Sequence, residues 1–140
     1  MGLNATMNEK LIKTMVLKNG LTLEIYDQSR EIAGDRWLVK MAAKIDIPID
    51  QLHLDDGLNK QVSLNSLKES FDNFVRYEQK RERNFVGDQQ KDSVFNDLVT
   101  SFLTSTREYL SHPHFAARCA VREHLRRQQR KTWYQEGDKV

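Results

Sequence analysis

The stretch Arg36-Trp37-Leu38-Val39-Lys40-Met41-Ala42-Ala43-Lys44-Ile45-Asp46-Ile47-Pro48-Ile49 decides the fold. Apolar residues occupy its odd positions (Trp37, Val39, Met41, Ala43, Ile45, Ile47, Ile49), and Arg36, Lys40, Lys44 and Asp46 sit between them. A helix would scatter both sets around its axis, whereas a strand sends alternate side chains to opposite faces. The spacing predicts one long strand with an apolar face and a wet face, with Pro48 marking its end or an edge position.

Upstream, Lys13–Lys18 and Leu21–Tyr26 flank Asn19-Gly20, a strong hairpin signal because a type I′ turn needs positive φ at both central residues. Leu21, Leu23 and Ile25 share one face of the second run. Asp27 to Asp35 is polar, contains Gly34 and reads as a loop. The expectation is an N-terminal three-stranded antiparallel β-meander. The third strand is longer than its partner, so its surplus backbone donors and acceptors must pair with water, another segment or a second copy of the chain. That surplus predicts a homodimer.

Downstream, Leu64, Leu67, Phe71, Phe74 and Val75 fall at helical spacing, with Ser66 and Glu69 placed as a capping box and Ser63 as a competing cap. Arg76 to Arg83 mixes charges within each turn and reads as the solvent face of a helix end. Gly87-Asp88 breaks the pattern. Phe95, Leu98, Val99, Phe102, Leu103, Thr106, Tyr109 and Leu110 then form one stripe of a second helix, with Asp92 as its cap. Ser111-His112-Pro113-His114 interrupts, and Pro113 opens a third helix reaching about Arg130. Strands followed by helices indicate α+β: the meander packed by two to three C-terminal helices. The expected organisation is a flexible N-terminus over 1–12, a single domain over 13–131 and a frayed tail over 132–140.

The chain has 140 residues, a net charge of +2 and one cysteine, Cys119, so no intramolecular disulfide can form and a cytoplasmic location is expected. The N-terminus lacks the basic and apolar regions of a secretory signal, although Gly2 and Thr6 fit the loose pattern for N-terminal acylation. No apolar run approaches the ~20 residues needed to cross a bilayer, so no membrane partner is expected.

The near-neutral total hides an asymmetry. From Arg118 to Lys131 there are six basic residues against Glu123 alone. Arg118, Arg122, Arg126 and Arg130 recur every fourth residue, which places them along one helical face, with Ala117, Val121 and Leu125 assigned to the opposite, apolar face. This comb is the candidate anion-binding site, for an acidic protein or nucleic acid. A solvated face that offsets the helix dipole is the competing structural explanation.

Other chemistry is weaker. His112, His114, Cys119 and His124 are metal-ligating types, but Cys119 and His124 point to different sides of a helix, and His114 and His124 are nearly 15 Å apart in rise. Arginines flanking Cys119 favour a thiolate, and burial opposes it. Asp46, Asp50, His53, Asp55 and Asp56 gather oxygen ligands and one imidazole without a calcium-loop pattern. There is no phosphate-binding glycine loop, dinucleotide fingerprint or Gly-x-Ser-x-Gly turn. The leading expectation is therefore a non-enzymatic interaction or regulatory domain that self-associates, without a cofactor, catalytic residues or a metal site. The alternatives are an anion-binding module using the comb, and a metal-dependent or His/Asp enzyme using His53, Asp55, Asp56 or His112.

Overall fold

The computed structural model describes residues 9–52 and 62–138. It is α+β, with strands β1 (Lys10–Val16), β2 (Thr22–Asp27), β3 (Arg30–Ala33), β4 (Arg36–Pro48) and β5 (Phe74–Gly87), and helices α1 (Leu64–Ser70), α2 (Lys91–Ser111) and α3 (Phe115–Asp138). The described residues group into two compact units, each discontinuous in sequence. β1 begins and α3 ends outside the 13–131 span expected of a single domain. The N-terminal acylation pattern and His53, Asp55 and Asp56 lie outside the described residues.

The first unit comprises the described residues up to Ile45 together with Tyr77–His112. Its sheet is built on β4. β1 pairs antiparallel with β2, and β2 with β4, placing Leu23 opposite Ile45 and Ile25 opposite Ala43. All four side chains are fully buried, as are Val39 and Met41, so the alternation read from the sequence is the alternation of the sheet. Leu23, Ile25, Val39, Met41 and Ile45 each contribute roughly 1.5–3 kcal/mol by leaving water. The opposite face is mixed: Ala42 is fully buried there and Leu38 half-buried, so it is not the wet face expected. Lys44 Nζ lies 2.7 Å from Glu9 Oε1 and 4.7 Å from the centroid of the Tyr26 ring.

Two expectations are corrected here. The span 27–35 is not only a loop: it contains β3, which turns through Gly34 (φ 56°) to pair with the start of β4, Arg30 opposite Leu38. The first hairpin is also not a type I′ turn, since of its residues only Gly20 has positive φ (89°). Leu17 N donates to Leu21 O and Gly20 N to Leu17 O, a three-residue loop closed by a glycine bulge. Asn19 instead uses its side chain. Its Oδ1 accepts from Leu21 N at 3.1 Å, while Nδ2 donates to Leu110 O at 2.8 Å and His112 O at 3.0 Å, satisfying carbonyls at the C-terminal end of α2.

The largest correction is β5. The helix expected to run from Leu64 past Val75 stops at Ser70, and Phe74 to Gly87 is a 14-residue strand paired with β4. Val75 is buried and Tyr77 and Arg81 half-buried on the same alternation. Near its end Phe85 adopts φ 61°, after which Val86 is the buried residue. β3 and β5 thus take up backbone groups of β4 that β2 leaves over. Other segments of the same chain pair with the surplus from which a dimer is expected.

α2 buries Phe95, Leu98, Phe102 and Leu110. Gln90 rather than Asp92 occupies its N-cap, and Asp92 sits in the first turn, where a carboxylate complements the helix dipole. His112 ends it in an extended conformation, as the residue before a proline must be.

The second unit comprises Asp46–Arg76 and the described residues from Pro113 onward. A 3-10 turn over Ile49–Gln51, α1 and α3 bury Ile49, Leu67, Phe115, Ala117, Cys119, Ala120, Val121 and His124. Ser63, the competing cap, is the one used: its hydroxyl accepts from Ser66 N at 3.1 Å. Among the described residues no helix is long and apolar enough to cross a membrane.

Candidate functional site

The rotation of α3 about its axis determines which arginines face outward. Ser70, the last residue of α1, holds it from one side: Ser70 Oγ lies 2.5 Å from Nδ1 of the buried His124. Arg127 donates to the Ser70 carbonyl, and its guanidinium lies 4.1 Å from the centroid of the Phe71 ring. Arg127 is therefore engaged in docking α3 to α1.

On the outward side, Arg118, Val121, Arg122, Leu125, Arg126 and Gln129 line an open furrow of about 360 Å³. Three of the four comb arginines share it. Arg130 does not, because a four-residue step advances about 40° beyond a full turn and three such steps turn Arg130 about 120° from Arg118. Val121 and Leu125, assigned from the sequence to the opposite face, lie in the furrow. Seven residues bring Leu125 back to within about 20° of Arg118. Leu125 is 40% exposed, so the furrow offers an accessible apolar floor between cationic walls.

The arginines differ. Arg118 is exposed. Arg122 is half-buried and lies against Cys119. Arg126 Nη1 is 2.9 Å from Glu123 Oε1 one turn back, an exposed pair worth little that leaves the furrow net positive. Cys119 is 1% exposed, and burial pushes its thiol pKa up even though Arg122 pulls the other way. A buried thiol held protonated is a packing group, not a nucleophile.

The remaining sequence candidates separate. Asp46 takes two hydrogen bonds from Arg76, at 2.8 and 3.3 Å, and Asp50 lies 3.3 Å from Lys68. His112 is exposed, while His124 is buried against Ser70. Among the described residues no group of three or more His, Cys, Asp or Glu could hold a metal ion. The Ser70–His124 contact and the role of Arg127 were not read from the sequence, because they need residues more than fifty positions apart. Comparisons with protein-family models, curated proteins and solved structures find no match to this chain.

Proposed function

We propose that the chain is a non-enzymatic interaction module whose α3 furrow receives an acidic, partly apolar segment of a partner protein. The observation that carries this reading is the mixed lining: Arg118, Arg122 and Arg126 beside Val121 and Leu125 on one face. Guanidinium groups recognise carboxylates in a fixed bidentate fork, and an apolar floor rewards a side chain that leaves water. A purely solvated helix face needs no accessible leucine among its arginines. Nucleic acid suits the furrow less well, since among the described residues that line it none is an aromatic side chain able to stack on a base.

The test is fluorescence anisotropy with a labelled helical peptide carrying Glu and Leu on one face, alongside a single-stranded oligonucleotide and anionic vesicles. The peptide is expected to bind at low salt, to weaken as salt rises, and to lose on the order of tenfold in affinity in the Arg118→Glu/Arg126→Glu variant. Absence of peptide binding to the folded chain at low salt overturns the reading. So does binding of the oligonucleotide or the vesicles alone.

A further inference from the structure

β5 is an outer strand: among the described residues it pairs only with β4, and its other edge takes no strand. We infer that this edge pairs with the same edge of a second copy of the chain, antiparallel about a two-fold axis through Gln79.

The register follows from symmetry and charge. A two-fold axis perpendicular to a sheet keeps each face on its own side, and residues directly opposite one another share a face. Only registers whose axis passes through a residue paired with its own copy are therefore allowed. An axis at Glu78, Lys80, Arg81, Glu82 or Arg83 sets a charged residue against itself, and the Lys80 axis also places Glu78 against Glu82 of the second copy. An axis at Tyr77 offers Glu78 only Arg76, which already bonds Asp46 of its own chain, and sets Lys80 against Phe74. With the axis at Gln79, a neutral amide meets its copy. Glu78 then faces Lys80 of the second copy on both sides of the axis, and Tyr77 faces Arg81. Within one chain Lys80 Nζ already lies 3.5 Å from Glu78 Oε2 on the same face. Pairing closes these four charges into an alternating quartet. Cross-strand neighbours at 4.5–5.5 Å between Cβ atoms are close enough for each opposite pair to attract.

The composition of the strand supports the assignment. Charges that merely keep an edge from pairing need only one sign, whereas 78–83 carries both, placed so that about Gln79 opposite charges meet and none is set against itself. Of the other strands with an unpaired edge, β3 is only four residues long, and β1 carries only cations, Lys10 and Lys13, with its ladder interrupted between Leu11 and Lys13. β1 therefore has no opposite charge to offer a copy of itself. One strand pair makes a small interface, so the dimer forms in the micromolar range.

Sedimentation equilibrium of the full chain over a concentration series tests this. The parent chain is expected to dimerise. Glu78→Lys and Lys80→Glu each turn two symmetric attractions into repulsions and should weaken the dimer on the order of thirtyfold. The double variant Glu78→Lys/Lys80→Glu restores opposite pairs and should recover it, and an equimolar mixture of the two single variants should form the heterodimer. Gln79→Cys should cross-link under mild oxidation and Glu82→Cys should not, with the native thiol of Cys119 buried. Circular dichroism confirms that each variant is folded. A chain that stays monomeric through the high micromolar range overturns the inference, as does a dimer indifferent to both reversals or cross-linking equal at 79 and 82.

Discussion

Replacing Asn19 with alanine and with aspartate separates packing from hydrogen bonding at the junction between the β1–β2 turn and the end of α2. In the native chain the amide makes three hydrogen bonds: one to its own turn and two to carbonyls ninety-odd residues away. Neutral hydrogen bonds contribute about 0.5–1.5 kcal/mol each, and the exposed bond to His112 O is readily replaced by water. Asn19→Ala should therefore cost about 2 kcal/mol, lowering Tm by roughly 6–8 °C for a chain of this size. Asn19→Asp has the same shape and keeps the acceptor for Leu21 N, yet it sets a carboxylate against two helix-terminal carbonyls at the negative end of the α2 dipole. It should be at least as destabilising as alanine at neutral pH, by a further ~0.3–1 kcal/mol. Part of this returns below the aspartate pKa, where the protonated group donates again. Urea unfolding at neutral and acidic pH, followed by circular dichroism, reads both quantities. If Asn19→Asp is as stable as the parent at neutral pH, the capping role assigned to this side chain is wrong.

Other perturbations follow from the same geometry. Ser70→Ala leaves Nδ1 of the buried His124 without its hydroxyl partner and should cost about 1–3 kcal/mol, with faster amide exchange in α1 than in β4. Cys119 holds its proton in the folded chain above the pH at which an exposed thiol loses it, so the unfolded state binds fewer protons and stability falls as pH rises past 9.0, the ordinary thiol value. The fall should flatten in Cys119→Ala, and the native thiol should resist alkylation until denaturant is added. At Phe85 (φ 61°, 67% exposed), Asn tolerates the left-handed backbone and should preserve or slightly raise Tm. β-Branched Val there should lower it by about 1–2 kcal/mol in stability.

Much of the sheet was legible because one face of β4 is buried from Val39 through Met41, Ala43 and Ile45 to Ile47; the burial of Ala42 on the other face was not, since alternation assigns that face to water. The position of the first hairpin was legible from Asn19-Gly20, although not its turn type: positive φ at Gly20 alone suffices once the loop has three residues. β5 was hidden by its composition. Glu78, Gln79, Lys80, Arg81, Glu82 and Arg83 are good helix formers, and Phe74 and Val75 continue the spacing of Leu67 and Phe71 beyond the true end of α1. What overrides that preference is the open edge of β4, whose backbone groups require a partner strand. The open edge of β4 was legible from its length, but the segment that pairs with it, β5, was hidden within a helical spacing. For the candidate site, the four-residue arginine spacing was visible in the sequence, and the furrow was not. That Leu125 shares a face with Arg118 while Arg130 turns away follows from helical spacing alone, whereas which face of α3 is left open depends on how Ser70, Phe71, His124 and Arg127 fix its rotation.

The binding account is tested most directly by mapping amide chemical-shift changes in the labelled chain as the acidic, leucine-bearing peptide is added. Shifts should concentrate at Arg118, Val121, Arg122, Leu125, Arg126 and Gln129 and vanish in the Arg118→Glu/Arg126→Glu variant. Saturable shifts centred on any other surface, with α3 unmoved, would contradict the account.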